Sequence, residues 1–180
     1  MKKHSKLFCL LAFAFICFLQ VSAQDISLKS NTLYWGMLAP NLSVEFPLNK
    51  RYTADLQMVY RPWRGHIDGK LRFWLAQPEV RYWFCEPSEG HFMGVHLHGG
   101  QYYRKNHQQV YDGYLVGSGL SYGYQWILSP HWSLEAQIGA GYAYLWYDQR
   151  PDLPCKKCNK SKHKNYFGPT KAALSLVYVF

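Results

Sequence analysis

Beyond residue 23, this sequence has no apolar run approaching the roughly 20 residues that a membrane-spanning helix needs. It also has no sustained helical periodicity. These two absences exclude a helical membrane protein and an all-helical domain. The chain is instead rich in aromatic residues, with 15 Tyr, 10 Phe and 7 Trp, and this composition excludes a disordered chain.

The N-terminus has the three regions of a secretory signal peptide. The first six residues include Lys2, Lys3 and Lys6 and no acid, an apolar run extends from Leu7 to Leu19, and Val21-Ser22-Ala23 forms a small-residue cleavage site. We therefore predict a signal peptide over residues 1–23, export through the Sec pathway with cleavage after Ala23, and one domain over residues 24–180. One domain fits the length of the remaining chain.

Two other interpretations of the N-terminus are open to test. A retained signal anchor would need a longer apolar run than residues 7–19 provide. A lipoprotein would be lipidated at Cys17, but Phe15 and Ile16 before it are not the small residues that such a site requires.

Acidic residues are scarce, since 11 Asp and Glu stand against 20 Lys and Arg. The basic excess is local, because the segment 150–164 holds six bases and only Asp152 as an acid. A local basic segment on an exported protein argues against nucleic acid as the partner.

Alternation of apolar and polar residues with period two runs through the whole domain. It predicts eight strands, over residues 28–37, 41–48, 52–61, 71–85, 91–103, 111–128, 132–147 and 166–180. The outward face of the first of these strands is not evident from the pattern.

The segments between the predicted strands differ in length. Residues 49–51, 86–90 and 129–131 are short polar turns, whereas the other side has a short link at residues 39–40 and then longer loops over 62–70, 104–110 and 148–165. Short turns at one end and long loops at the other are typical of outer-membrane barrels, with the turns in the periplasm. We therefore predict an all-β fold, an eight-stranded antiparallel up-and-down transmembrane β-barrel. Lys156–Lys164 would lie outside the cell and Asn49–Arg51 inside.

The polar face of the strands is unlike a face that meets solvent. It carries Gly and Ser together with a few isolated charges, and a narrow barrel interior requires that mixture. We predict a polar network in the lumen formed by Glu45, Asp55, Glu79, Arg81, Glu135 and Lys171. A lumen filled in this way is not a pore.

Aromatic residues cluster at both ends of the predicted strands. One set lies near the turns (Tyr52, Phe84, Trp126, Trp132, Phe180) and another near the loops (Trp35, Tyr60, Trp63, Trp74, Tyr102, Tyr103, Tyr144, Trp146). Two such sets resemble the interfacial girdles of membrane barrels. The alternative is a secreted β-sandwich, which would share the alternation but not the girdles.

Several motifs resemble a family of uncharacterised outer-membrane barrel proteins of Bacteroidetes-type bacteria, a domain of unknown function. They are QPEVRYWFCE over Gln77–Glu86, GHFMGVHLHGGQY over Gly90–Tyr102, SYGYQWIL over Ser121–Leu128, residues His131–Asp148, and HKNYFGPTK over His163–Lys171. The resemblance implies a membrane barrel encoded near fimbrial genes, and so a link to surface appendages. It implies no catalytic residues.

Cys155 and Cys158 are spaced as C-x-x-C in the last loop. One such pair is weak evidence for metal, and Asn159 rather than a histidine follows it. We expect a disulfide that closes a small loop in an oxidising compartment. The lysines around it (Lys156, Lys157, Lys160, Lys162, Lys164) are predicted to form a basic extracellular loop. That loop either binds lipopolysaccharide phosphates or an acidic partner, or is simply solvated.

His96 and His98 share one strand face, and no third metal ligand is evident beside them. We expect both to pack in the lumen. Cys85 is predicted to be a buried, unpaired thiol. Ser118 lies on the opposite face from the histidines, so a hydroxyl nucleophile and its base should not meet.

The sequence thus predicts a non-enzymatic outer-membrane barrel without cofactor or metal. Its expected role is structural, in surface interaction, or as an accessory to fimbrial assembly, with outer-membrane lipid, lipopolysaccharide and surface-appendage proteins as partners. The alternative is an outer-leaflet lipid-modifying enzyme.

Overall fold

In a computed structural model, eight antiparallel strands form one ring-like sheet. The structure describes residues 26–62, 71–105, 109–151 and 160–180. The elements in chain order are β1 (Ser27–Asn31), α1 (Thr32–Gly36), β2 (Asn41–Pro47), β3 (Tyr52–Arg61), β4 (Leu71–Trp83), β5 (Gly90–Lys105), β6 (Gln109–Ile127), β7 (Trp132–Pro151) and β8 (Lys160–Val179). Each strand pairs with its neighbours in sequence, and β1 pairs with β8 to close the barrel. A closed ring excludes the two-layer sandwich.

Strands β2 to β7 fall where the alternation predicts them, with ends that differ by up to four residues. The prediction was wrong for the end of the first strand, since residues 32–36 form the helix α1. Asn31 ends β1 because its side-chain oxygen accepts hydrogen bonds from the amide of Leu33, at 3.0 Å, and from the amide of Leu174 on β8, at 3.2 Å. An asparagine in this position caps a helix and ends the strand before it.

The predicted last loop is also shorter than expected. Strand β7 continues to Pro151 and β8 begins at Lys160, so only residues 152–159 separate them. Lys160, Lys162 and Lys164 therefore lie on a strand, not in a loop. Residues 160–165 form a strand because they pair with β7. Gln149 is the backbone partner of Lys160, and the pairing continues without interruption to Gly141.

Side-chain hydrogen bonds hold two of the three short turns. The Asn49 side chain accepts hydrogen bonds from the amides of Arg51 and Tyr52, at 2.9 and 3.0 Å. The amide of Trp132 donates to the hydroxyl of Ser129 at 3.2 Å. Asn and Ser make such turns because their side chains bond to nearby backbone amides. The turns bring consecutive strands together in register.

One β-bulge interrupts the pairing of the last two strands. Lys171 pairs with Gly139 while Pro169 pairs with Ala140, so Thr170 is the extra residue. A bulge shifts the alternation by one position. Between the bulge and the turn end, Lys171 and Ser175 face inward on β8. Between the bulge and the loop end, the even-numbered residues of β8, including Lys162 and Lys164, face inward together with Leu145 and Tyr147 of β7.

The polarity of the fold is the reverse of that of a water-soluble domain. Inward-facing charged residues such as Glu45, Arg81 and Glu135 are each 1% exposed. Outward-facing Ile138 is 70% exposed and Leu120 is 64% exposed. Large apolar side chains on every strand from β2 to β8 share this outward exposure. The barrel therefore encloses polar groups and presents an apolar surface.

Candidate functional site

Arg81 on β4 lies at the centre of an ion network inside the barrel. Its guanidinium contacts four carboxylates, at 3.1 Å for Glu79, 3.2 Å for Glu45, 2.8 Å for Glu135 and 3.4 Å for Asp55. Glu45, Asp55 and Glu79 are backbone partners in one row across β2, β3 and β4, and Glu135 reaches the same guanidinium from β7 across the lumen. A planar group with five donors can satisfy several carboxylates at once.

Two lysines complete the network from the last and the first strand. Lys171 on β8 forms an ion pair with Glu79 and lies 3.8 Å from Asp55. Lys29 on β1 forms ion pairs with Glu45 and Glu135. The structure thus brings together all six predicted residues and adds Lys29, which was not predicted. The sequence feature that could have indicated Lys29 is the imbalance of the predicted network, in which four acids faced only two bases and a further cation was needed to pair with them.

Hydroxyl and amide groups satisfy the remaining carboxylate oxygens. Ser43 donates to Asp55, Thr53 to Glu45 and Ser121 to Glu79. The Gln137 amide donates to Glu79 at 2.7 Å and accepts from Arg81 at 3.1 Å. Buried charges are tolerated only when they are paired and hydrogen-bonded in this way.

Gly94 on β5 leaves the space that the side chains of the ion network occupy next to this strand. A Cβ atom at Gly94 would overlap the carboxylate of Glu79 and the hydroxyl of Ser121. The small residues on the inward face therefore leave room for the large charged ones, as predicted for a narrow barrel.

Aromatic rings close the lumen toward the turns. Trp83 and Phe92 are completely buried, with ring centroids 4.7 Å apart. The Trp83 indole donates to Thr53 at 2.9 Å, and the Arg81 guanidinium lies 4.6 Å from the Phe92 ring centroid. The cavity left among the network side chains is about 10 Å³, roughly the volume of one water-sized sphere. At this level, the lumen is packed with side chains.

His96 and His98 lie inside the barrel on the loop side of the network. Their ring centroids are 5.6 Å apart, and His96 Nε2 lies 2.9 Å from the hydroxyl of Thr170. Both are buried, as predicted. Within the described residues, no group of three or more His, Cys, Asp or Glu side chains is arranged to hold a metal ion.

The hydroxyl–histidine pair inside the barrel lacks the third member of a catalytic relay. His96 Nδ1 is buried and has no hydrogen-bond partner among the described residues. A relay of the serine hydrolase type needs an acid at that nitrogen. Ser118 is exposed on the outward face and pairs with Leu97, so it does not meet either histidine, as predicted.

Two rings of aromatic side chains surround the outside of the barrel. At the turn end, Tyr82 contacts both Tyr52 and Phe84, with centroids 5.2 and 5.6 Å apart. Trp132, Tyr178 and Phe180 continue this ring. At the loop end, exposed rings include Trp35, Tyr60, Trp74 and Trp146. Trp63, which the prediction also placed there, lies outside the described residues.

The match to known families covers nearly the whole chain. Residues 8–180 match the family described as "Protein of unknown function (DUF3575)". The chain belongs to the DUF3575 family. No curated protein and no solved structure matches this DUF3575 chain. In the part of it that the structure describes, no helix is long and apolar enough to cross a membrane.

The predicted basic loop of the DUF3575 chain is divided between a strand and undescribed residues. Lys162 and Lys164 are exposed on β8, and the backbone of Lys160 begins that strand. Lys156 and Lys157 lie outside the described residues, as do Cys155 and Cys158. Cys85, which was predicted to be buried, is exposed and free. The reason is that β4 ends at Trp83, so Cys85 falls in the turn.

The disulfide between Cys155 and Cys158 stays a prediction for this DUF3575 protein. Non-reducing peptide mapping of the purified chain should find the two cysteines joined and Cys85 free. The closed loop is so short that the bond should change barrel stability little. Stoichiometric zinc that disappears on Cys155→Ser would contradict the disulfide.

Proposed function

We propose that this protein is a non-enzymatic barrel of the bacterial outer membrane, exported by the Sec pathway and cleaved after Ala23. The observation that carries the proposal is the reversed polarity of the fold. A paired ion network fills the inside, and apolar side chains between two aromatic rings cover the outside. This arrangement suits a lipid environment, in which strands must close on themselves to satisfy their backbone groups.

The apolar surface is too extensive for a monomer in water. Outward-facing side chains such as Leu56, Val95, Leu120 and Ile138 are at least 44% exposed and lie on β3, β5, β6 and β7. Monomeric soluble proteins rarely expose contiguous apolar patches of more than a few hundred Å². Contact with lipid chains would remove these apolar side chains from water, which is favourable.

The unequal strand lengths support a surface role. Strands β6, β7 and β8 have 19, 20 and 20 residues, about twice the 9–11 that a tilted strand needs to cross a bilayer. Their loop ends would therefore project from the membrane. Projecting strands offer a surface to lipopolysaccharide or to surface-appendage proteins, and the resemblance to barrels encoded near fimbrial genes favours an accessory role in their assembly.

The orientation follows from the short turns. We expect an epitope tag inserted between residues 155 and 158 to bind antibody on intact cells, and a tag inserted at Lys50 to bind only after permeabilisation. Both insertions lie between strands, so the barrel should still form. If intact cells expose the tag at Lys50 and hide the other, the orientation is reversed.

The non-enzymatic role has its own test. An outer-leaflet lipid-modifying enzyme must change the acyl or phosphate content of lipid A. Mass spectra of lipid A from cells with and without the gene should therefore be identical. A difference that is restored by the wild-type gene would replace the proposed role with an enzymatic one.

A further inference from the structure

Strand β8 has a neighbouring strand along its whole length on one side only. It pairs with β7 from Lys160 to Tyr178, but it pairs with β1 only from Ser175 to Val179, because β1 ends at Asn31. Among the described residues, no other strand pairs with β8. Five residue pairs near the turn end therefore close the barrel wall, and the part of β8 toward the loop end has an unpaired edge.

Side chains at the junction of β1 and α1 cover the half of this edge that is nearer the turns. Asn31 Nδ2 donates to the carbonyl of Ala172 at 3.0 Å, and the Thr32 hydroxyl donates to the carbonyl of Leu174 at 2.7 Å. From Ser161 to Gly168, no described residue forms a hydrogen bond with the β8 backbone on the side away from β7. We call Ser161–Gly168 the open edge.

The open edge is exposed on both faces, as expected for a strand that lacks a second neighbour. All residues from 161 to 167 are exposed, and Phe167 is 84% exposed. On β7, by contrast, Ala143 opposite Tyr166 is buried. Pro169 directly follows the open edge. Because proline has no amide hydrogen to donate, it occurs in strands mainly at edges and bulges, and both are present here.

The open edge carries positive charge that is not compensated. Lys162 Nζ donates to the neutral side chain of Gln149 at 2.9 Å, and neither Lys162 nor Lys164 forms an ion pair with a described residue. The sequence of this segment contains no acid. A strand with carboxylates opposite these lysines would be complementary, because opposite charges stabilise cross-strand pairs. A second copy of the chain would bring further lysines to the contact, so the charges favour a different protein.

We propose that the open edge binds an extended, acidic segment of another exported protein, which adds to the sheet as a strand beside β8. In this mode of recognition, main-chain hydrogen bonds provide the affinity and side chains provide the specificity. An unpaired edge is a template for pairing in water and is unfavourable in lipid, so an added strand is favoured in either environment. Access of external partners rests on the proposed function, which places the loop end outside the cell.

The test uses the full mature chain, refolded in detergent micelles, with a fluorescently labelled peptide of alternating valine and glutamate residues as the probe. Fluorescence anisotropy should show saturable binding of this peptide. A second peptide has the same sequence but is N-methylated at every backbone amide, so it keeps the charge and cannot donate to β8. Its Kd should be at least about tenfold higher, because the main-chain hydrogen bonds are lost.

Two double variants of the protein locate the peptide. Lys162→Gln/Lys164→Gln should raise the Kd by about fivefold to tenfold, which is the combined effect of two exposed ion pairs. Lys50→Gln/Arg51→Gln removes two exposed cations from the turn between β2 and β3. This control should change the Kd by less than about twofold.

The alternatives give distinct results. A peptide that does not bind would overturn the proposal and would show that the lysines and Pro169 block pairing, as such residues do on other edge strands. Equal affinity for the N-methylated peptide, or equal weakening in the two double variants, would show charge attraction alone and would also overturn it. A dimer of the chain that the peptide dissociates would assign the open edge to a second copy instead. If the peptide binds as expected but the epitope tag shows the loop end inside the cell, the open edge stands and the proposed orientation fails.

Discussion

Replacement of Arg81 by methionine should be the most destabilising single substitution in the lumen. It would leave four buried carboxylates, from Glu45, Asp55, Glu79 and Glu135, with only two lysines. Removal of one partner of a buried ion pair costs about 3–5 kcal/mol, because the other charge stays buried without compensation. Urea unfolding of the refolded chain in lipid vesicles should show at least this loss, and a shortage of folded barrel is the expected result in cells.

Arg51→Met is the matched control for this prediction. Arg51 is exposed in a turn, where its guanidinium lies 3.1 Å from the hydroxyl of Tyr82. The same chemical change there should cost less than about 1 kcal/mol, as is usual for exposed polar contacts. Arg81→Lys should fall between the two, since an ammonium keeps the charge but cannot form the planar fork. Equal stability of all three variants would show that the network contributes nothing to the fold.

An arginine on the outward face should also impair the barrel strongly. Ile138 is 70% exposed and lies on β7 between Trp132 at the turn end and Trp146 at the loop end. If lipid surrounds this face, Ile138→Arg places a charge near the middle of the bilayer, at a cost of about 2–4 kcal/mol. Leu56→Arg on β3 should behave similarly. The yield of inserted barrel in membranes is the quantity to measure.

Two control positions separate the lipid effect from a general intolerance of arginine. Ser161→Arg lies on the same outward face but beyond the aromatic ring, so the added charge meets water and insertion should be normal. Gln137→Arg adds a cation to a network with four acids and three bases, and its effect should differ from that of Ile138→Arg. Equal insertion of the Ile138→Arg and Ser161→Arg chains would contradict a lipid-facing surface.

Most of the fold was predictable because one face of each strand is apolar and the other is not. Strand β3 was predicted with its exact bounds, Tyr52–Arg61, because a polar turn precedes it and the alternation is regular. The start of β8 was not predictable, since both faces of residues 160–165 are polar and no alternation marks them. That segment is a strand because β7 pairs with it, and such pairing leaves little trace in the local sequence.

Most of the ion network was also predictable from the alternation of the strand faces. Isolated charges in long alternating strands had to face the lumen, so six residues of the network could be named. Lys29 escaped because β1 has only five residues, the last of which is the helix cap Asn31, too few to reveal which face is inward. The inward direction of Lys162 and Lys164 escaped because the bulge at Thr170 shifts the alternation on β8 by one position.

Site-directed spin labels on the outward positions of β7 give the most direct test of a lipid-facing barrel. Single cysteines at residues 134, 136, 138, 140 and 142 would be introduced after Cys85, Cys155 and Cys158 are changed to serine, with residue 161 as the water-exposed reference. In membranes, collisions with oxygen should exceed collisions with a polar nickel complex at all five positions, most strongly near residue 138. If the nickel complex reaches these positions as freely as it reaches residue 161, the apolar surface faces water and the chain is not a membrane barrel.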